Sequence, residues 1–173
     1  DCRLMASILK VNTIQDATNS NTALSIDSSG RILTPARPSF RAQPTSEITN
    51  QTSGDIVYGE AGANDEDSHG CHNVGNHYSI STGKFTAPIT GVYFFSFSGF
   101  AYAENDVVVN LKLNSTSVLN LNANLSNDES NYESIQGSLV LKMSANDTFN
   151  PVVGSGNFHA NAEYSQFSGF LVG

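Results

Sequence analysis

Between Asn73 and Phe97 the chain reads NVGNHYSISTGKFTAPITGVYFFSF, and no other segment restricts the fold as strongly. From Gly91 onward Tyr93, Phe95 and Phe97 alternate with Phe94, Ser96 and Ser98, the period-two pattern of a strand with one face on a core. Ser81-Thr82-Gly83 and Pro88-Ile89-Thr90-Gly91 read as turns, because glycine supplies positive φ and proline presets φ while lacking an N–H for a ladder. That leaves Phe85 on a short strand between them.

The offsets are specific. Asn73 is followed five residues on by Tyr78, seven later by Phe85 and six later by Gly91, which opens Gly-x-Tyr-x-Phe-x-Phe. This spacing resembles the signature of C1q-like domains. Two further segments extend the likeness: Pro38-Ser39-Phe40-Arg41-Ala42 is similar to the family's first strand, and Phe167-Ser168-Gly169-Phe170-Leu171 to its closing strand. The resemblance runs from about Phe40 to the last residue. It implies a C1q/TNF-like, ten-stranded jelly-roll sandwich that assembles as a homotrimer, with Phe40, Asn73, Tyr78, Phe85, Gly91, Tyr93, Phe95, Phe97, Phe167, Gly169 and Phe170 as the signature core, and with the closing strand central beside the first.

One position departs from that pattern. The family places a large apolar residue six positions before the asparagine, where this chain has Asp67, inside the acidic run GEAGANDEDSHGCH. The strand that delivers the apolar residue is expected instead at Ile56, Val57 and Tyr58.

Downstream, Val107, Val109, Leu111 and Leu113 alternate with Val108, Asn110 and Lys112. Leu119 and Leu121 alternate with Asn120 and Asn122, and Leu139, Leu141 and Met143 with Val140 and Lys142. No amphipathic helix of ten or more residues is visible, so the fold class is all-β. Loops are expected at 43–76, 103–106, 123–134 and 144–160, and these are the natural contact surface of a rigid β scaffold. Within or beside them Tyr132, His159 and Tyr164 suit a polar, sugar-like ligand. Phe94, Phe100 and Tyr102 are surplus to a core already supplied by the opposite strand face, and are expected to meet sister subunits.

Before Pro38 the composition changes. Leu24 and Ile26 face Ile32 across Asp27-Ser28-Ser29-Gly30, a hairpin signal, in a segment with too few apolar residues for its own core. The chain therefore divides into an adapter, residues 1–37, and a head, residues 38–173. The adapter's wording is similar to N-terminal pieces of tailed-phage structural proteins. That resemblance implies a virion protein assembled in the host cytoplasm, with the adapter anchored to other virion proteins and the head turned to a host-surface glycan or protein, as a short tail fibre, spike or capsid decoration. The alternatives are a secreted C1q-like recognition protein or lectin and, behind it, a glycan-acting enzyme, which would need two positioned carboxylates. In the secreted case the acceptor sequons at Asn50, Asn114, Asn124 and Asn146 would carry glycans.

Charge and composition narrow the partners. Eight Lys and Arg against sixteen Asp and Glu give a net charge of −8, which disfavours nucleic acid and polybasic membrane contacts. No apolar run is long enough for a membrane span. The two cysteines, Cys2 and Cys71, make no disulfide framework and read as separate thiols. Asp65, Glu66 and Asp67 are the carboxylates that could hold calcium, although their spacing is not that of an EF-hand loop. His69, Cys71 and His72 alternate in direction on an extended chain and make a poor zinc set. With no Gly-x-Ser-x-Gly, no His-Glu-x-x-His and no phosphate-cradling glycine loop, the expectation is a non-enzymatic protein without a cofactor.

Overall fold

The computed structural model describes residues 9–62, 70–102, 106–124 and 132–173. The chain separates into two compact units, Asp1–Arg37 and Pro38–Gly173. Asp65, Glu66 and Asp67 lie outside the described residues, as does Cys2.

The first unit is a three-stranded antiparallel sheet of β1 (Thr13–Gln15), β2 (Thr22–Ile26) and β3 (Ile32–Leu33). Its second hairpin turns where the sequence indicated. Asp27 Oδ1 accepts from the Ser29 and Arg31 amides at 2.9 Å each, its Oδ2 accepts from Arg31 Nε at 2.6 Å, and Gly30 takes φ +80°. Arg31 beside Asp27 holds that carboxyl below its ordinary range. Ile14, Ile32 and Leu33 remain exposed, so this sheet encloses no core.

In the second unit the strands are β4 (Ser39–Ala42), β5 (Ile48–Gln51), β6 (Gly54–Asp55), β7 (His72–Val74), β8 (Tyr78–Ser79) and β9 (Lys84–Thr86). They continue as β10 (Gly91–Tyr102), β11 (Val107–Leu113), β12 (Thr116–Ala123), β13 (Tyr132–Met143), β14 (Thr148–Ser155), β15 (Phe158–Ala160) and β16 (Gln166–Leu171). Among the described residues there is no helix. The expected ten strands appear as thirteen segments, several of only two or three residues.

These segments form the two sheets of a jelly roll. β10 pairs with β13 along its whole length, and on its other edge with β16 and then β15. β16 in turn pairs β4, which pairs β7, so the closing strand is central beside the first. The second sheet runs β12-β11-β14-β9-β8, with β6 also on β14.

The inter-sheet core is aromatic. Phe95 of β10 stacks on Phe149 of β14 at 4.2 Å between ring centroids, and Phe40 stacks on Tyr78 at 4.7 Å. Phe40, Phe85, Tyr93, Phe95, Phe97, Phe149, Phe158 and Phe167 are all buried, each contributing on the order of 1.5–3 kcal/mol by leaving water.

The signature spacings acquire physical reasons. Asn73 Nδ2 donates to the Tyr78 carbonyl at 2.8 Å and its Oδ1 accepts from the Tyr78 amide at 3.1 Å, so one side chain clamps the turn that the five-residue offset encloses. Gly83 has φ +69°, and a Cβ there would sit 2.3 Å from the Ile56 carbonyl oxygen.

Several expectations are corrected. Gly91 is not a positive-φ turn residue but the first residue of β10, where a Cβ would come within 2.7 Å of Leu171 Cδ1. Phe170 is not in the core: alternation in β16 turns Phe167, Gly169 and Leu171 inward and leaves Phe170 44% exposed. Ile56 and Tyr58 are buried as expected, yet the strand there is only Gly54–Asp55. The buried Tyr58 backbone is satisfied instead by the Tyr78 hydroxyl, which donates to the Tyr58 carbonyl at 2.9 Å and accepts from its amide at 3.3 Å. The loops expected at 43–76 and 144–160 contain β5 to β7 and β14 to β15, and β13 begins at Tyr132 inside the expected loop 123–134.

Candidate functional site

Because β10 buries Tyr93, Phe95 and Phe97, its even-numbered residues lie on the outer face of the sheet. Cross-strand register adds to them. Phe94 is opposite Val140 on β13 and Phe170 on β16, while Phe100 is opposite Ser134 and His159, and Tyr102 opposite Tyr132.

Two apolar zones result. In the first, Phe94 and Phe170 rings lie 5.3 Å apart beside Val140, which is 64% exposed. In the second, toward the other end of β10, Phe100 meets Tyr132 and Tyr164 edge to face at 6.0 Å and 5.9 Å. Tyr102 packs on Tyr132 at 4.7 Å and on His159 at 5.0 Å. Phe94, Phe100 and Tyr102 are thus half-buried on the outer face, and none fills the space between the sheets.

A cleft of about 350 Å³ opens in the second zone, lined by Glu47, Phe100, Tyr132, His159, Asn161 and Tyr164. The three residues expected to contact a ligand, Tyr132, His159 and Tyr164, are therefore brought together, although they lie on β13, on β15 and in the turn before β16. Phe100, expected at a subunit interface, is a wall of the same cleft. Glu47 and Asn161 were missed, since nothing in local sequence distinguishes them from other loop residues.

His159 differs from its expected place in a loop. It sits in β15, only 5% exposed. Its Nε2 accepts from the Asn50 amide at 3.3 Å, which assigns the ring proton to Nδ1 in the neutral form. That Nδ1 is buried and has no hydrogen-bond partner among the described residues. Burial holds the imidazole below its ordinary pKa, with Glu47 opposing the shift.

The turn carrying Tyr164 is tightly bonded. The Tyr164 and Ser165 amides both donate to the Asn161 carbonyl, at 3.1 Å and 2.9 Å, the Glu163 amide donates to Asn161 Oδ1 at 3.0 Å, and the Asn161 amide donates to Ser165 Oγ at 3.1 Å. Tyr164 is 66% exposed on this frame.

Among the described residues no group of three or more His, Cys, Asp and Glu side chains is placed to hold a metal. Cys71 is buried, with its thiol 3.4 Å from Gln43 Oε1.

Comparison with known proteins agrees with this architecture. The C1q domain family matches residues 66–172. Complement C1q tumor necrosis factor-related protein 3 of mouse, and that of human, are each 30% identical over 135 residues, 77% of this chain. The matched segment spans half the length of those relatives. Among solved structures, the globular domain of zebrafish complement 1qA shares the fold with a TM-score of 0.57 at 22% identity, covering 79% of this chain and 98% of that one. Eiger TNF from S. frugiperda superposes with a TM-score of 0.58 at 10% identity, covering 79% and 92%. With its signature, its two-sheet topology and this match, the chain belongs to the C1q domain family.

Proposed function

We propose that the head, Pro38–Gly173, is a recognition module that associates with two further copies of itself and presents its clefts multivalently. The observation that carries this reading is the outer face of the β10 sheet, where Phe94, Phe170 and Val140 form an apolar zone on a surface that one chain leaves partly in water. A contiguous exposed zone of this kind marks a contact surface. Three copies give threefold closure, the assembly implied by the likeness to C1q and TNF-type heads. Three weak sites held on one rigid body then bind a repetitive surface far more tightly than one.

The related C1q/TNF-related proteins favour this reading over the virion appendage, for which the adapter's wording is the support. The adapter itself offers apolar side chains at Ile14, Ile32 and Leu33 for a partner of its own, in either setting. Light scattering on the full chain tests the proposal: a mass of three chains is expected, and Phe94→Asp with Phe170→Asp should yield folded monomers. A wild-type monomer at micromolar concentration refutes it.

A further inference from the structure

The three strands of the adapter sort its apolar side chains by register. Ile14 of β1 is opposite Leu24 of β2, and Ile26 of β2 is opposite Ile32 of β3. Leu24 and Ile26 are two residues apart on the central strand, so all four lie on one face of the sheet. Thr13, Ser25 and Leu33 lie on the other. Among the described residues of this unit nothing covers the first face: Ile14, Ile26 and Ile32 are exposed, and Leu24 is half-buried.

A sheet with one apolar face has to bury it against another layer, and a unit of 37 residues commonly gains that layer by oligomerising. Chain connectivity identifies the partner. Leu33 ends β3 and Ser39 begins β4, so only the five residues 34–38 join the adapter to the head. At ~3.3 Å per residue this link reaches about 20 Å when fully extended. Pro35 and Pro38 stiffen it, and the turn at 34–37, where the Arg37 amide donates to the Thr34 carbonyl at 3.0 Å, shortens it. β4 is two strands from β10 in the sheet whose outer face carries the self-association, about 10 Å away at the usual strand spacing. Head association therefore gathers three adapters within reach of one another, at an effective concentration on the order of millimolar.

Charge agrees with this occupant. The face of Ile14, Leu24, Ile26 and Ile32 holds no ionisable side chain, so three copies of it bring no like charges together. Residues 1–37 carry four Lys and Arg against three Asp and Glu, which places the net negative charge of the chain in the head.

We propose that the faces of Ile14, Leu24, Ile26 and Ile32 from three chains pack together into one shared core, completing each adapter with its sister copies. The proposal rests on the self-association of the heads and concerns a segment outside residues 66–172, which the C1q family matches. Four side chains per copy fall far short of a free-standing interface, so the adapters close only where the heads hold them together. The variant with Phe94→Asp and Phe170→Asp therefore stays monomeric.

Cysteine crosslinking of the full chain tests the proposal, in a Cys2→Ser background and with Cys71 buried. Under copper–phenanthroline oxidation Ile26→Cys should give disulfide-linked dimers, because three equivalent thiols around an axis pair two at a time. Thr13→Cys, on the opposite face, should run as monomer on denaturing gels. Ile14→Ser with Ile32→Ser removes apolar groups that one chain leaves exposed, and should raise the concentration at which trimers dissociate about tenfold or more in analytical ultracentrifugation. The proposal is overturned by no crosslinking in Ile26→Cys, by equal crosslinking in Thr13→Cys, or by an unchanged dissociation concentration. A wild-type trimer with any of those results leaves the head reading standing and assigns the apolar face to a different protein; a wild-type monomer refutes both.

Discussion

Replacing Tyr78 by phenylalanine deletes one oxygen atom, yet it should be among the costlier conservative changes in this domain. The ring would keep its stack on Phe40 at 4.7 Å and its edge contact with Phe167 at 5.9 Å, so packing is unchanged. What disappears is the pair of hydrogen bonds that the hydroxyl makes with the Tyr58 carbonyl and amide, at 2.9 Å and 3.3 Å. Tyr58 is wholly buried and its segment lies outside any ladder, so neither backbone group has water to turn to. A buried group left unsatisfied costs about 1–3 kcal/mol, and the longer bond contributes less, giving about 2–4 kcal/mol in sum. Burial raises the Tyr78 pKa far above neutrality, so the hydroxyl donates throughout any practical pH range. Urea unfolding at fixed protein concentration measures the loss, with Tyr93→Phe as reference, because among the described residues that hydroxyl makes a single hydrogen bond, to the Ile89 carbonyl at 2.8 Å. Thermal midpoints should fall about 2–4 °C per kcal/mol. Loss below about 0.5 kcal/mol in Tyr78→Phe would show that the Tyr58 segment finds other partners, and would refute the reasoning.

Asn73→Ala removes both bonds of the clamp on Tyr78 and should cost about 1–3 kcal/mol by the same denaturation assay; a neutral result would mean that the turn closes without it. Gly169→Ala places a Cβ 2.4 Å from Phe95 Cδ1 and 3.0 Å from Phe40 Cε1, a clash between buried groups expected to cost about 1–3 kcal/mol and to be partly relieved by Phe95→Leu. Stability should also fall as pH drops below the ordinary histidine value of 6.5. The unfolded chain then binds protons that His159, held neutral by burial and by the Asn50 amide, takes up only at lower pH. The loss grows from about pH 6.5 down to the folded pKa and then levels off. His77, also lowered by burial, adds in the same direction, so His159→Phe should reduce the slope without abolishing it. Equal stability at pH 7.5 and 5 would contradict the burial of both rings.

Local pattern alone was enough for β10, β11, the adapter hairpin and the closing strand, because period-two alternation and turn residues act over a few neighbouring positions. It was enough for the family as well, since the Asn73 clamp on Tyr78 and the aromatic core positions from Phe85 to Phe97 are each written at a fixed offset. β14 escaped it. TFNPVVGS carries asparagine, proline and glycine that read as breakers, and only the tertiary setting shows Pro151 opposite Leu111 with its carbonyl accepting from the Ile56 amide at 3.0 Å. The direction of Phe170 likewise depended on register, which a single strand does not reveal. The cleft is the clearest case of tertiary decision. Residues near positions 47, 100, 132 and 159–164 converge there. Strand pairing across the β10 sheet, not sequence proximity, makes them neighbours.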